Sequence, residues 1–155
     1  MRGLIRGKNI EGNDKMITTA FVLAGRASFV VENPTGESVT VKVSKSKSGK
    51  LNPYTGQPYP ETFFISLRHN NHAWQYVGRL KDQTIVPTAN VAPLWNQPDV
   101  AKAVTVAQWA LSRIFTQTPV PTGYRLAHTG RCGKCGKLLR DAESIALGLG
   151  PVCRG

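Results

Sequence analysis

Residues 27–44 read ASFVVENPTGESVTVKVS. Two apolar, β-branched runs flank Asn33-Pro34-Thr35-Gly36, where Pro presets φ and Gly supplies positive φ. In the second run Val39, Val41 and Val43 share one face, while Thr40, Lys42 and Ser44 share the other. That is the two-residue period of a half-buried strand. Val31 and Val39 flank the turn, so the stretch reads as a β-hairpin.

The same texture extends to both sides. Residues 17–24 are rich in apolar and β-branched types and predict a further strand. Residues 44–60 bury no face and predict a long basic loop carrying Lys45, Lys47, Lys50, Tyr54 and Tyr59. The run 62–68 (TFFISLR) resumes strand character, His69-Asn70-Asn71-His72 signals a tight turn, and 73–80 (AWQYVGRL) supplies its partner. The sum is an antiparallel sheet of about five strands. Residues 81–97 read as a connector with Pro87 and Pro93. Asp99 is a plausible N-cap after Pro98. Val100, Val104, Ala107, Leu111 and Ile114 then recur at helical spacing, flanked by Trp109 and Phe115. This predicts one helix over 100–116 that covers a sheet face. Trp74, Trp95 and Trp109 read as core or core-edge residues. The fold class is α+β: a flexible segment 1–16, a sheet-plus-helix domain 17–123, and a distinct module 124–155 that holds every cysteine.

That module carries the sharpest chemical signal. His128, Cys132, Cys135 and Cys153 form the pattern H-x3-C-x2-C-x17-C. Cys-x-x-Cys lets two thiolates grip one ion from a tight turn, and Gly133 and Gly136 keep the backbone free around the sulfurs. A third thiolate and an imidazole complete a tetrahedral Cys3His set, a closed arrangement suited to structural Zn2+. A redox Cys-x-x-Cys pair and unligated cysteines are the competing readings. Asp141 can cap a short helix over 142–147 that Gly148 stops, and Gly150-Pro151 turns Cys153 back toward the knuckle. Leu138, Leu139, Ile145 and Leu147 would form a small apolar cap. So few apolar residues cannot hold the module, so the metal must, and structural zinc supplies about 10–16 kcal/mol in small modules.

The segment HTGRCGKCGKLLRDAESIALGLGPVC resembles the C-terminal signature of a family of small, largely uncharacterised proteins of bacteriophages and bacterial mobile elements. His128, Cys132, Cys135, Ser144, Ile145, Gly148, Gly150, Pro151 and Cys153 match its pattern. FVLAGRASFVVENPTGESVTVKV, FFISLR and WQYVGRL resemble the family's strands, and the Trp109 helix resembles the helix before its finger. The resemblance implies a phage origin and metal binding, and supplies no activity.

Charge frames the function. The 155 residues carry 20 Lys+Arg against 9 Asp+Glu, a net charge of +11, which favours polyanionic partners. Lys42, Lys45, Lys47 and Lys50 precede Tyr54 and Tyr59, pairing phosphate-neutralising charges with rings that stack on bases. A solvated hairpin tip is the bland alternative. Arg131, Lys134 and Lys137 line the finger. No signal peptide, no membrane span and too few cysteines for a disulfide scaffold predict an intracellular protein in the host cytoplasm. Residues 48–50 lack the first glycine of a P-loop. No Ser/His/Asp or paired-carboxylate arrangement stands out, so neither enzymatic activity nor a small-molecule substrate is expected. The reading is a zinc-containing, non-enzymatic DNA- or RNA-binding protein of the phage, largely independent of sequence. The alternatives are an interaction protein that modulates a host enzyme, such as a nuclease, polymerase or defence factor, and an accessory subunit of a phage replication or recombination assembly.

Overall fold

The computed structural model describes residues 17–46, 51–70 and 72–154. The expected flexible segment 1–16 lies outside the described residues, as do Lys47 and Lys50. In chain order the elements are α1 (Thr19–Val22), β1 (Arg26–Glu32), β2 (Ser38–Lys45), β3 (Phe63–His69), β4 (Gln75–Lys81) and β5 (Thr84–Val86). A 3-10 turn (Ala92–Asn96), α2 (Pro98–Thr116), β6 (Arg125–His128), α3 (Ala142–Leu147) and α4 (Pro151–Arg154) follow. The strands form one six-stranded antiparallel sheet in the order β5-β4-β3-β2-β1-β6. The chain is therefore α+β.

The central hairpin forms as its sequence predicts, with Val31 opposite Val39. Asn33 holds the turn: its Oδ1 accepts from the amides of Thr35 at 3.0 Å and Glu37 at 2.9 Å. Asn52 repeats the device, accepting from the Tyr54 amide at 2.8 Å. The start of the tyrosine-bearing loop is thereby a folded turn.

Alternation sends Val39, Val41 and Val43 to one sheet face, with Ala27, Phe29, Val31, Ile65 and Leu67. Helix α2 covers that face with Ala103, Val104, Ala107, Ala110, Leu111 and Ile114. The alanines leave little side chain between the helix and the sheet. The helix begins earlier than Asp99 suggests. Gln97 occupies the N-cap position without a side-chain bond, Pro98 stands in the first turn, and Asp99 lies just inside it. A fixed φ suits Pro there, and an acid in the first turn meets the positive end of the dipole.

Three expectations change. Residues 17–24 are not a strand: Thr18 Oγ1 accepts from the Phe21 amide at 3.1 Å and starts the single turn of α1. Thr84–Val86 is a strand inside the expected connector, too short to show a period. Arg125–His128 leaves the C-terminal module to pair with β1, so the segment that carries the cysteines starts as part of the sheet. The tryptophans also divide. Trp95 and Trp109 pack against the core, and Trp95 Nε1 donates to the Val77 carbonyl at 2.9 Å. Trp74 is 38% exposed on the opposite side. Among the described residues no helix is long and apolar enough to cross a membrane.

Leu111 is fully buried between helix and sheet. Leu111→Ala is expected to cost about 2–5 kcal/mol by leaving a cavity. Ser112→Ala on the exposed side is expected to be nearly neutral. Chemical denaturation of the two variants checks the contrast.

Candidate metal centre

Strand β6 delivers the chain from the sheet to the cysteines. The turn that follows closes on itself: the Cys132 amide donates to the Lys137 carbonyl at 2.8 Å, and the Gly136 amide to the Cys132 carbonyl at 2.9 Å. A second arm starts at Asp141, whose Oδ2 accepts from the Ser144 amide at 3.0 Å and caps α3. Gly148, at φ 74°, ends that helix, as its sequence predicts. The chain then turns through Gly150 into α4, which returns Cys153. The two arms are laced by the Gly133 amide, which donates to the Gly148 carbonyl at 2.8 Å.

This brings Cys132, Cys135 and Cys153 together, with their three sulfurs all within 4.8 Å of one another. All three are free thiols. Cys132 Sγ accepts from the amides of Lys134 and Gly150, each at 3.4 Å, one donor from each arm. Burial pushes the Cys132 thiol up, but the amides of Gly150, Cys135 and Lys134 and the Cys135 side chain outweigh it and bring it down to about 6. Cys153 is pushed up to about 11, first by the side chains of Cys135 and Cys132, then by desolvation and the neighbouring negative charge. One thiolate forms readily and the last resists, because negative charge accumulates in one small space. A cation among the sulfurs removes that conflict, so the donor set fits a thiophilic metal ion.

The structure does not bring His128 into this group. Its Nδ1 accepts from the Gly130 amide at 2.9 Å, and its Nε2 is held against the Ile145 carbonyl. Both ring nitrogens are used, and burial pushes its pKa down, an effect the Ile145 contact only partly offsets. A neutral ring with its proton on Nε2 satisfies both contacts. His128 thus ties the first arm to α3, where its spacing predicts a ligand. Spacing alone does not show these two backbone contacts.

The residue that sequence reasoning passes over is Phe21. It is 1% exposed, and its ring contacts the module, lying 5.7 Å from the His128 ring between centroids. A Cβ on Gly133 or on Gly148 would stand 2.6 Å from Phe21 Cδ1. The two glycines therefore form a slot for this ring, one from each arm. The expected apolar cap is only partly realised, since Leu139 is buried while Leu138 and Leu147 are exposed. The sheet end completes the seating: the Arg26 amide donates to the Gly133 carbonyl at 2.6 Å, and the Thr129 amide to the Ser28 carbonyl at 3.2 Å.

The basic residues divide. Arg131, Lys134 and Lys137 are exposed on the cysteine turn, and Arg131 Nη1 donates to the Gly136 carbonyl at 3.1 Å. Lys45 is paired with Glu61 at 3.1 Å, so its charge is partly spoken for. Lys42 lies on the sheet face beside Trp74, with Nζ 4.4 Å from the ring centroid. Tyr54 is almost fully exposed and Tyr59 about half. A Cβ on Gly25 would meet both the Lys134 carbonyl at 3.7 Å and Lys45 Cβ at 4.0 Å. The knuckle and the end of β2 are thus immediate neighbours.

Phe21→Ala is expected to cost about 3–5 kcal/mol and to empty the slot. Amide hydrogen exchange should accelerate across 130–148 before it does in β2 and β3. Equal acceleration everywhere would show that Phe21 serves the sheet core alone.

Residues 127–155 match the model of a family of unknown function (DUF6011). No curated protein and no solved structure matches the chain.

Proposed function

We propose that the protein is a zinc-containing, non-enzymatic nucleic-acid-binding protein, phage-encoded and largely indifferent to base sequence. The metal is structural. Three thiolates hold it, and the amides of Lys134 and Gly150 hold the sulfur of Cys132. A redox role for Cys132 and Cys135 is disfavoured by the third thiol beside them, which a two-sulfur couple does not need. Zinc is preferred over other metals because thiolates are its usual structural ligands, and a fourth donor beside the three sulfurs completes its tetrahedron.

One observation carries the binding reading: a basic turn lies beside the end of a strand that is far from it in sequence. The cysteine turn presents Arg131, Lys134 and Lys137 next to Lys45 and the end of β2. With a net charge of +11, such a surface favours phosphates by releasing their counterions. The cage fixes where these charges sit, and the affinity is electrostatic.

Two measurements test this. Elemental analysis of the purified protein should find one zinc per chain. Cys132→Ser, Cys135→Ser and Cys153→Ser should each lose it, while His128→Asn should retain it with lower stability. Loss of zinc from His128→Asn would make His128 a ligand after all. Affinity for a generic oligonucleotide should fall steeply with salt. Lys134→Glu with Lys137→Glu should flatten the log–log slope by about 1.4 on a single strand, at about 0.7 per phosphate contact. No binding to DNA or RNA at low salt removes the reading.

A further inference from the structure

The sheet face turned away from α2 carries a second composition. Its register places Thr40 and Lys42 of β2 beside Arg68 and Ser66 of β3. Next to them Phe64 of β3 lies opposite Arg79 of β4, and Ser66 opposite Tyr76. A register shift at Ile65/Ser66 accommodates Val77, which is buried, so that Tyr76 and Arg79 both stay on the open side. Phe64 and Tyr76 meet edge-on at 6.2 Å, and Phe64 is 36% exposed. Trp74 reaches over the same face, with Lys42 Nζ 4.4 Å and the Arg68 guanidinium 5.6 Å from its ring. Among the described residues no carboxylate pairs with Lys42, Arg68 or Arg79.

A sheet face normally buries its large rings or does without them. Here three aromatic rings stand partly exposed among three cations that no described carboxylate pairs. The charges argue against two occupants. A second copy of this face would bring like charges together. The chain's own segment 1–15 holds Arg2, Arg6, Lys8 and Lys15 against Glu11 and Asp14, so it repeats the sign of the face. An anion with flat apolar groups complements both features. Phosphates meet the cations, and unpaired bases stack on the rings. A duplex keeps its bases stacked on one another and offers no free faces except at its ends.

We infer that this open face binds single-stranded nucleic acid, with Phe64, Tyr76 and Trp74 as the stacking platform and Lys42, Arg68 and Arg79 as phosphate contacts. The inference rests on the nucleic-acid reading above and adds the strandedness and the surface. Trp74 also supplies the assay, because Trp95 and Trp109 pack against the core. The probes are a labelled oligothymidine and a duplex of the same length, each titrated into the full chain. The single strand should bind more tightly and quench tryptophan fluorescence, and Trp74→Phe should abolish the quench. Phe64→Ala with Tyr76→Ala should weaken single-strand binding by roughly tenfold or more and leave duplex binding unchanged. Should that double variant unfold, Arg79→Glu tests the same surface by its salt slope. A quench that persists in Trp74→Phe, or ring variants that bind as the parent does, overturns the platform while leaving nucleic-acid binding intact. Failure of both probes to bind at low salt overturns this inference together with the reading beneath it.

Discussion

The Phe21 ring between Gly133 and Gly148 is the contact on which the C-terminal half depends. The module has little apolar surface of its own, with Leu139 and Cys132 its main buried apolar side chains. Alone it could not offset the entropy of ordering its backbone. The ring is lent by α1, a single turn that precedes the sheet. Both arms of the cysteine segment must be glycine where they meet it, because a methyl group at either position would overlap the ring. One aromatic side chain thereby couples three parts that sequence order separates: the start of the fold, the knuckle and the end of α3.

The sulfurs add a second constraint of a different kind. Packing sets where the arms lie, and electrostatics sets what they can hold. Two amides pull Cys132 toward thiolate, and the neighbours of Cys153 resist a further negative charge. Negative charge gathers among the three sulfurs, and a cation there offsets it. His128 contributes by fixing α3 through Ile145, a backbone task for a residue whose type suggests ligation.

Much of this was legible in the sequence. The Asn33–Gly36 turn, the Val39-Val41-Val43 face, the Asp141 cap and the Gly148 stop are local chemistry, and local chemistry is what residue order records. The helix stripe was legible for the same reason, although Ala103 and Ala110 are also buried and give a weaker periodic signal. The cysteine group was readable from spacing. Phe21 was not, because its partners lie more than a hundred positions away and are glycines, which carry no pattern. Residues 17–24 look like a strand by composition, and Thr18 overrides that by capping a turn. Strand β6 was hidden because four residues cannot display a period. The open face escaped notice because Trp74 reads as core until its contacts with Lys42 and Arg68 show which side it lies on.

Strand β1 is where these features meet. Its inward residue Phe29 stands opposite His128, and its outward residue Ser28 shares a 2.5 Å hydroxyl contact with Thr129. At its start Arg26 donates through Nη1 to the Cys135 carbonyl at 3.5 Å. The cysteine centre is therefore built onto the edge of the same sheet whose open face carries Lys42 and Arg68, without a linker between them. On the proposed reading, this explains why a protein with no use for metal chemistry would keep a metal. A chain with a charge of +11 repels itself, and its cations cluster only where something rigid holds them. On that reading, closing the thiolates around one ion would hold the turn bearing Arg131, Lys134 and Lys137 in place, and the contacts of β1 with this segment would tie it to the sheet. The ion would then act on the proposed binding through geometry, by fixing the distance between two charged surfaces.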